Sequence, residues 1–123
     1  PHIERWYKME LVQIIKRNGN LVAFNPEKIY EAIKKAYASV HPIDELADQQ
    51  IVSITRKVVA DVMQLEIRKV PISVIQTFVE QRILDLGLPK VAEAYIEYRI
   101  QRDIDRFGYG DEYVVKLHLD KIK

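Results

Sequence analysis

Val12-Gln13-Ile14-Ile15-Lys16-Arg17-Asn18-Gly19-Asn20-Leu21-Val22-Ala23-Phe24-Asn25-Pro26-Glu27-Lys28-Ile29 holds two short strand-forming runs, a turn and a helix start within eighteen residues. The runs 12–15 and 21–24 flank Asn18-Gly19, a dipeptide that favours the positive backbone dihedrals of a two-residue hairpin turn. Asn25 is placed as an N-cap. Pro26 suits the first helical position, where its missing N–H would be unpaired in any case, and Glu27 suits the positive helix end. Unpaired N–H groups at that end favour anions, and Lys16, Arg17 and Lys28 reach the same neighbourhood, which predicts a phosphate site. The competing reading is a solvated turn whose cations blunt a sheet edge.

Outward from this stretch, apolar periodicity predicts four helices. Ile29, Ala32, Ile33, Ala36 and Tyr37 form one stripe from Pro26 to about Ser39, with Lys34 and Lys35 on the solvent side, before His41-Pro42. A long second helix spans 44–65, capped by Asp44, with Leu46, Ile51, Ile54, Val58, Val62 and Leu65 on its stripe. Lys69 to Ile72 reads as a short edge strand around Pro71. Ser73 and Gln76 then have capping-box spacing for a third helix that buries Ile75, Phe78, Val79, Ile83 and Leu86 and stops at Gly87. The fourth runs from Pro89 to Phe107 with Val91, Ala94, Tyr95, Tyr98 and Arg102 as its stripe, and Gly108 and Gly110 end it. Single-striped helices must share a core, and the hairpin has one face to bury over the first of them. The expected fold is α+β: a four-helix bundle capped by a small three-stranded sheet, in the order hairpin, helix, helix, strand, helix, helix.

The run of linked residues from Val12 through Lys16-Arg17-Asn18-Gly19 and Asn25-Pro26-Glu27-Lys28-Ile29 to Ala32-Ile33 resembles the ATP-cone, the nucleotide-sensing module of ribonucleotide reductases and of their transcriptional repressor. Arg68 to Ser73 with Ile75-Gln76 and Val79-Glu80 looks like that family's third strand and third helix. Ala94 to Arg99, continuing through Arg106, is similar to the segment that closes the cone in anaerobic, glycyl-radical reductases. The resemblance covers 12–107 and implies an allosteric domain that binds ATP or dATP, with Mg²⁺, and acts on a reductase catalytic domain or subunit through conformational or oligomeric change. It implies phosphate contacts from Lys16 and Arg17 at the Asn18-Gly19 turn. Ile14 and Ile29 would lie beside adenine or ribose while packing in the core. Asn25 and Lys28 would be polar contacts at the helix start. Gln76 stands where the aerobic branch has a nucleotide-contacting histidine, and Arg99 lies on a fourth-helix face, with Tyr95, Tyr98 and Arg102, that can close over phosphate. Val22 replaces an acidic residue of the aerobic branch.

Composition sets bounds on other functions. The 123 residues, 48% hydrophobic, supply one core and leave no room for a reductase barrel, so no catalysis is expected. Nineteen basic and 18 acidic residues give a net charge of +1, which argues against nucleic acid as a partner and makes any anion attraction local. With no cysteine there is no disulfide, thiol catalysis or zinc ribbon of the repressor kind. His2, His41 and His118 are scattered, no metal site is expected from the protein alone, and no Gly-Lys-Ser/Thr phosphate loop occurs. No run is long enough for a membrane span, and a cytoplasmic protein is expected. Residues 1–9 are a leader of open status, 10–107 the domain and 108–123 an extension whose Tyr113 to Leu119 alternation suits an interaction arm or a homo-oligomer. The alternatives kept open are a nucleotide-controlled repressor module and a helical interaction bundle without nucleotide.

Overall fold

The computed structural model describes residues 12–107, so the leader 1–9, Gly108, Gly110 and the tail 111–123 lie outside the described residues. The elements are β1 (Gln13–Ile15), β2 (Leu21–Ala23), α1 (Pro26–Ala38), α2 (Glu45–Gln64), β3 (Lys69–Pro71), α3 (Ile72–Asp85) and α4 (Pro89–Phe107). This is the α+β arrangement of four helices and a three-stranded sheet that the periodicity predicts.

The sheet order is β2-β1-β3, with β1 central. It pairs antiparallel with β2 (Ile14 opposite Val22) and parallel with β3 (Ile14 beside Val70), and the parallel link needs a long crossover, here α1 and α2. Pro71 ends an edge strand, where its missing donor is harmless. Burial in the hairpin belongs to Val12, Ile14 and Phe24; all three residues of β2 are exposed, so its second strand forms a rim and not part of the lid.

The turn differs from the two-residue form. Gly19 N–H donates to Lys16 C=O at 2.9 Å, Lys16 N–H donates to Asn20 C=O at 2.8 Å, and Gly19 alone in this loop takes a positive φ, +87°. That is a three-residue loop closed by a left-handed glycine. Only the last residue of such a loop needs a positive φ, so Asn18 takes none, and its Oδ1 accepts from Asn20 N–H at 3.0 Å. The extra residue makes Arg17 the first position of the loop.

The helices share one core. Ile33 of α1, Ile51, Ile54, Val58 and Val62 of α2, Ile83 of α3 and Val91 of α4 are fully buried, each worth about 1.5–3 kcal/mol of transfer free energy. Asn25 caps α1 by accepting from Glu27 N–H, and Asp44 caps α2 by accepting from Ala47 N–H at 2.8 Å. Gly87, at φ +73°, closes α3.

Several local expectations are corrected. Leu46 and Leu65 are 64% and 36% exposed: Leu46 lies in the first turn of α2, where Ala47 takes the inward place, and Leu65 is the residue that caps its C-terminus. Helix α3 already begins at Ile72, after extended Pro71 (φ −60°, ψ 140°), so Ser73 is not a cap and Gln76 is released from capping. In α4 the buried line is Val91, Ala92, Tyr95, Arg99, Ile100 and Asp103, whereas Tyr98 and Arg102 are exposed.

Candidate functional site

Where the hairpin, α1, α3 and α4 meet, a cleft of about 530 Å³ opens. That volume falls within the range of small-ligand sites, roughly 300–1,000 Å³. Its walls bring together Ile14, Lys16, Arg17, Asn25, Lys28, Ile29, Gln76 and Arg99. Asn18 and Gly19 lie at the exposed tip of the turn, outside the lining, where they shape the loop that carries Arg17. Ile14 and Ile29, each 8% exposed, belong both to the core and to the cleft wall.

Each cation reaches the cleft for a local reason. Lys16 and Arg17 follow the last residue of β1, where the chain leaves the strand for the turn, and both line the cleft. Lys28 is on the first turn of α1, beside the positive end of that helix. The first amides there are already engaged: Glu27 N–H donates to the Asn25 side chain at 3.0 Å and Lys28 N–H to the Asn25 carbonyl at 3.1 Å. The expectation of open N–H donors at this end is therefore corrected, and its attraction for anions rests on the helix dipole and the Lys28 ammonium.

Arg17 spans three elements. Its Nη2 donates to Gln76 Oε1 of α3 at 3.0 Å, and its Nε lies 2.6 Å from Asp103 Oδ2 of α4. The contact with Asp103 is off the hydrogen-bonding axis, and both Arg17 Nε and Asp103 Oδ2 are buried without a directed hydrogen bond. Arg99, 8% exposed, gives Nη2 to Glu80 Oε1 at 2.7 Å while its Nε has no hydrogen-bond partner. These three are the buried side-chain atoms without a hydrogen bond among the described residues, and all belong to residues lining the cleft.

Tyr95 lies under this network, its hydroxyl pushed up to about 12 chiefly by burial, with Arg99 opposing and Glu80 adding to the rise. It is a neutral phenol at physiological pH. At the rim the exposed Tyr98 ring of α4 has Lys35 Nζ of α1 at 5.6 Å and Arg102 Cζ at 5.8 Å from its centroid, within cation–π range. The lining as a whole carries six basic side chains (Lys16, Arg17, Lys28, Lys35, Arg99, Arg102) against two acidic ones (Glu31, Asp103). A nearly neutral protein thus concentrates positive charge on one concave face, with an apolar floor beneath it.

Sequence reasoning missed Lys35 and Asp103. Lys35 follows Lys28 by two helical turns, a spacing that puts both on one side of α1, and Asp103 follows Arg99 by one turn of α4. Those intervals were available signals. Among the described residues no group of three or more His, Asp or Glu could hold a metal, and no helix is long and apolar enough to cross a membrane.

Comparison with known proteins agrees with this architecture. The family model described as ATP cone domain matches residues 12–104. The ribonucleoside-diphosphate reductase subunit alpha of Chlamydia pneumoniae is 36% identical over 101 residues, 76% of this chain and 10% of that protein. The anaerobic ribonucleoside-triphosphate reductase of Haemophilus influenzae is 37% identical over 93 residues, 76% of this chain and 13% of its own length. Its Escherichia coli counterpart is 38% identical over 97 residues, 79% of this chain and again 13% of its length. The chain therefore spans about a tenth of each curated relative it matches. With the matched segment running from the first residue of the hairpin region into the last turns of α4, the chain belongs to the ATP-cone family.

Proposed function

We propose that this domain is an allosteric sensor that takes ATP or dATP in the cleft between hairpin, α1, α3 and α4, and passes its occupancy to a ribonucleotide reductase catalytic domain or subunit. The observation that carries the reading is the convergence of Lys16, Arg17, Lys28, Arg99 and Arg102 on one cavity floored by Ile14 and Ile29. Phosphates suit the cations and the arginine forks, and an aromatic base suits the isoleucine floor. Mg²⁺ would arrive on the triphosphate, since the chemistry of the lining is cationic and offers few oxygen ligands. On this reading the domain binds the nucleotide as an effector, with catalysis left to the reductase it regulates.

Support for the partner comes from the relatives, which are named as reductases and share the matched segment with this chain. Regulation would follow from differential affinity. ATP and dATP differ by one hydroxyl, and a sensor must turn that difference into two arrangements of elements that the same ligand touches. Arg17 already ties the hairpin to α3 and α4. The reading places the domain in the cytoplasm, where its nucleotides are.

Isothermal titration with ATP, dATP and GTP, together with light-scattering mass with and without nucleotide, tests the proposal. ATP and dATP should bind, GTP should bind at least about tenfold more weakly, and Arg17→Ala should abolish most of the heat. Equal binding of all three, or an unchanged Arg17→Ala isotherm, overturns it.

A further inference from the structure

We propose that Asp103 is an internal competitor for the nucleotide's phosphates: in the ligand-free domain its carboxylate occupies Arg17, and ligand binding exchanges that carboxylate for phosphate oxygen. The inference rests on the nucleotide reading of the cleft and adds to it a residue that sets affinity by opposing the ligand.

Three observations carry it. First, Asp103 is one of two acids among eight charged residues lining the cleft, and the one in contact with Arg17. Its side chain is 11% exposed and that of Arg17 is 19%, so the pair is poorly screened by solvent and a polyphosphate beside it would feel the carboxylate strongly.

Second, the pair is held by charge and not by direction. Nε and Oδ2 are 2.6 Å apart, yet neither makes an aligned hydrogen bond. The Asp61–Arg82 pair shows the alternative: Nε and Nη2 of Arg82 donate to the two oxygens of Asp61 at 2.8 and 2.7 Å. Opening an aligned pair gives up two directed hydrogen bonds, whereas exchanging the undirected Nε–Oδ2 contact for a phosphate oxygen gives up none.

Third, the two groups that hold Arg17 differ in charge: Nε faces the Asp103 carboxylate and Nη2 donates to the neutral Gln76 amide oxygen. Gln76 can keep hold of the guanidinium during the exchange, since its neutral oxygen does not repel an anion. Asp103 does repel one, and this asymmetry makes Asp103 the group that the ligand displaces.

The test is Asp103→Asn, which keeps the shape and an accepting oxygen and removes the charge. Wild type is titrated first with ATP; no binding there rejects the nucleotide reading itself and leaves nothing for Asp103 to oppose. Given wild-type binding, Asp103→Asn should bind ATP about tenfold more tightly at low salt, the scale expected for removing one nearby poorly screened charge. The gain should shrink in the series ATP, ADP, AMP and vanish for adenosine, a gradient that a purely structural role for Asp103 does not produce. Unchanged or weaker ATP binding overturns the proposal. A loss confined to titrations with Mg²⁺ overturns it too, because it makes Asp103 a ligand of the nucleotide's metal. Should Asp103→Asn fail to fold by circular dichroism, Asp103→Ser carries the same titration, and tripolyphosphate replaces ATP as a base-free probe with the same expected sign.

Discussion

The two sides of this bundle treat the same chemistry in opposite ways. Between α2 and α3, Arg82 and Asp61 form a closed two-point pair over Ile51, Ile54, Val58, Val79 and Ile83, and every one of those apolar side chains is at most 1% exposed. Across the cleft, Arg17 with Asp103 and Arg99 with Glu80 leave Arg17 Nε, Arg99 Nε and Asp103 Oδ2 buried without hydrogen bonds. Buried polar atoms are nearly always hydrogen-bonded, so the exceptions gathered on this face set its loosely directed charges apart from the closed pair opposite. The α2–α3 side supplies stability; the hairpin–α4 side is where the proposed function puts the ligand.

Substitutions on each side separate those roles. The largest effect is expected for Ile54→Ala, which opens a cavity in the fully buried α2 stripe and should cost about 2–5 kcal/mol in urea denaturation, with ATP affinity of the folded protein unchanged. Arg17→Ala should act on binding: a loss of about 1.5–3 kcal/mol in ATP affinity by calorimetry, the worth of a hydrogen bond to a charged group, with stability lowered as well because buried Asp103 is left without its counter-charge. Asn25→Ala sits where the two roles overlap, because Asn25 both caps α1 and lines the cleft. It should lower stability by about 1 kcal/mol and weaken ATP binding together. Arg82→Ala should cost at most about 1 kcal/mol and leave binding untouched, since Arg82 is part exposed and far in role from the cleft.

The smallest effect is confined to alkaline pH. Burial raises the Tyr95 hydroxyl from its ordinary 10 to about 12 in the folded protein. The native state then holds that proton more tightly than the unfolded chain, so stability is full below pH 10 and declines as pH rises toward 12. Thermal melts should show this slope, and Tyr95→Phe should flatten it.

Local chemistry made much of the fold legible. Asn25-Pro26-Glu27 encodes a helix start within three residues, and the inward stripes of α1 and α2 recur at helical spacing whatever surrounds them. What failed to show was tertiary. Leu46 and Leu65 fit the α2 stripe by spacing yet are exposed at its two ends, where periodicity alone does not say whether anything packs against them. Ser73 and Gln76 have capping-box spacing, but Ile72 is already helical and Gln76 is used by Arg17. Of the cleft, the cations beside the turn were readable because they are contiguous. Asp103 was not, since its meaning comes from meeting Arg17 across the fold.

Amide chemical-shift mapping with ATP tests the division of labour most directly. The account predicts perturbations concentrated at Lys16 to Gly19, Asn25 to Ile29, Gln76 and Arg99 to Asp103, with Ile51 to Val62 of α2 quiet. Shifts centred on α2, or none anywhere at saturating ATP, would contradict it.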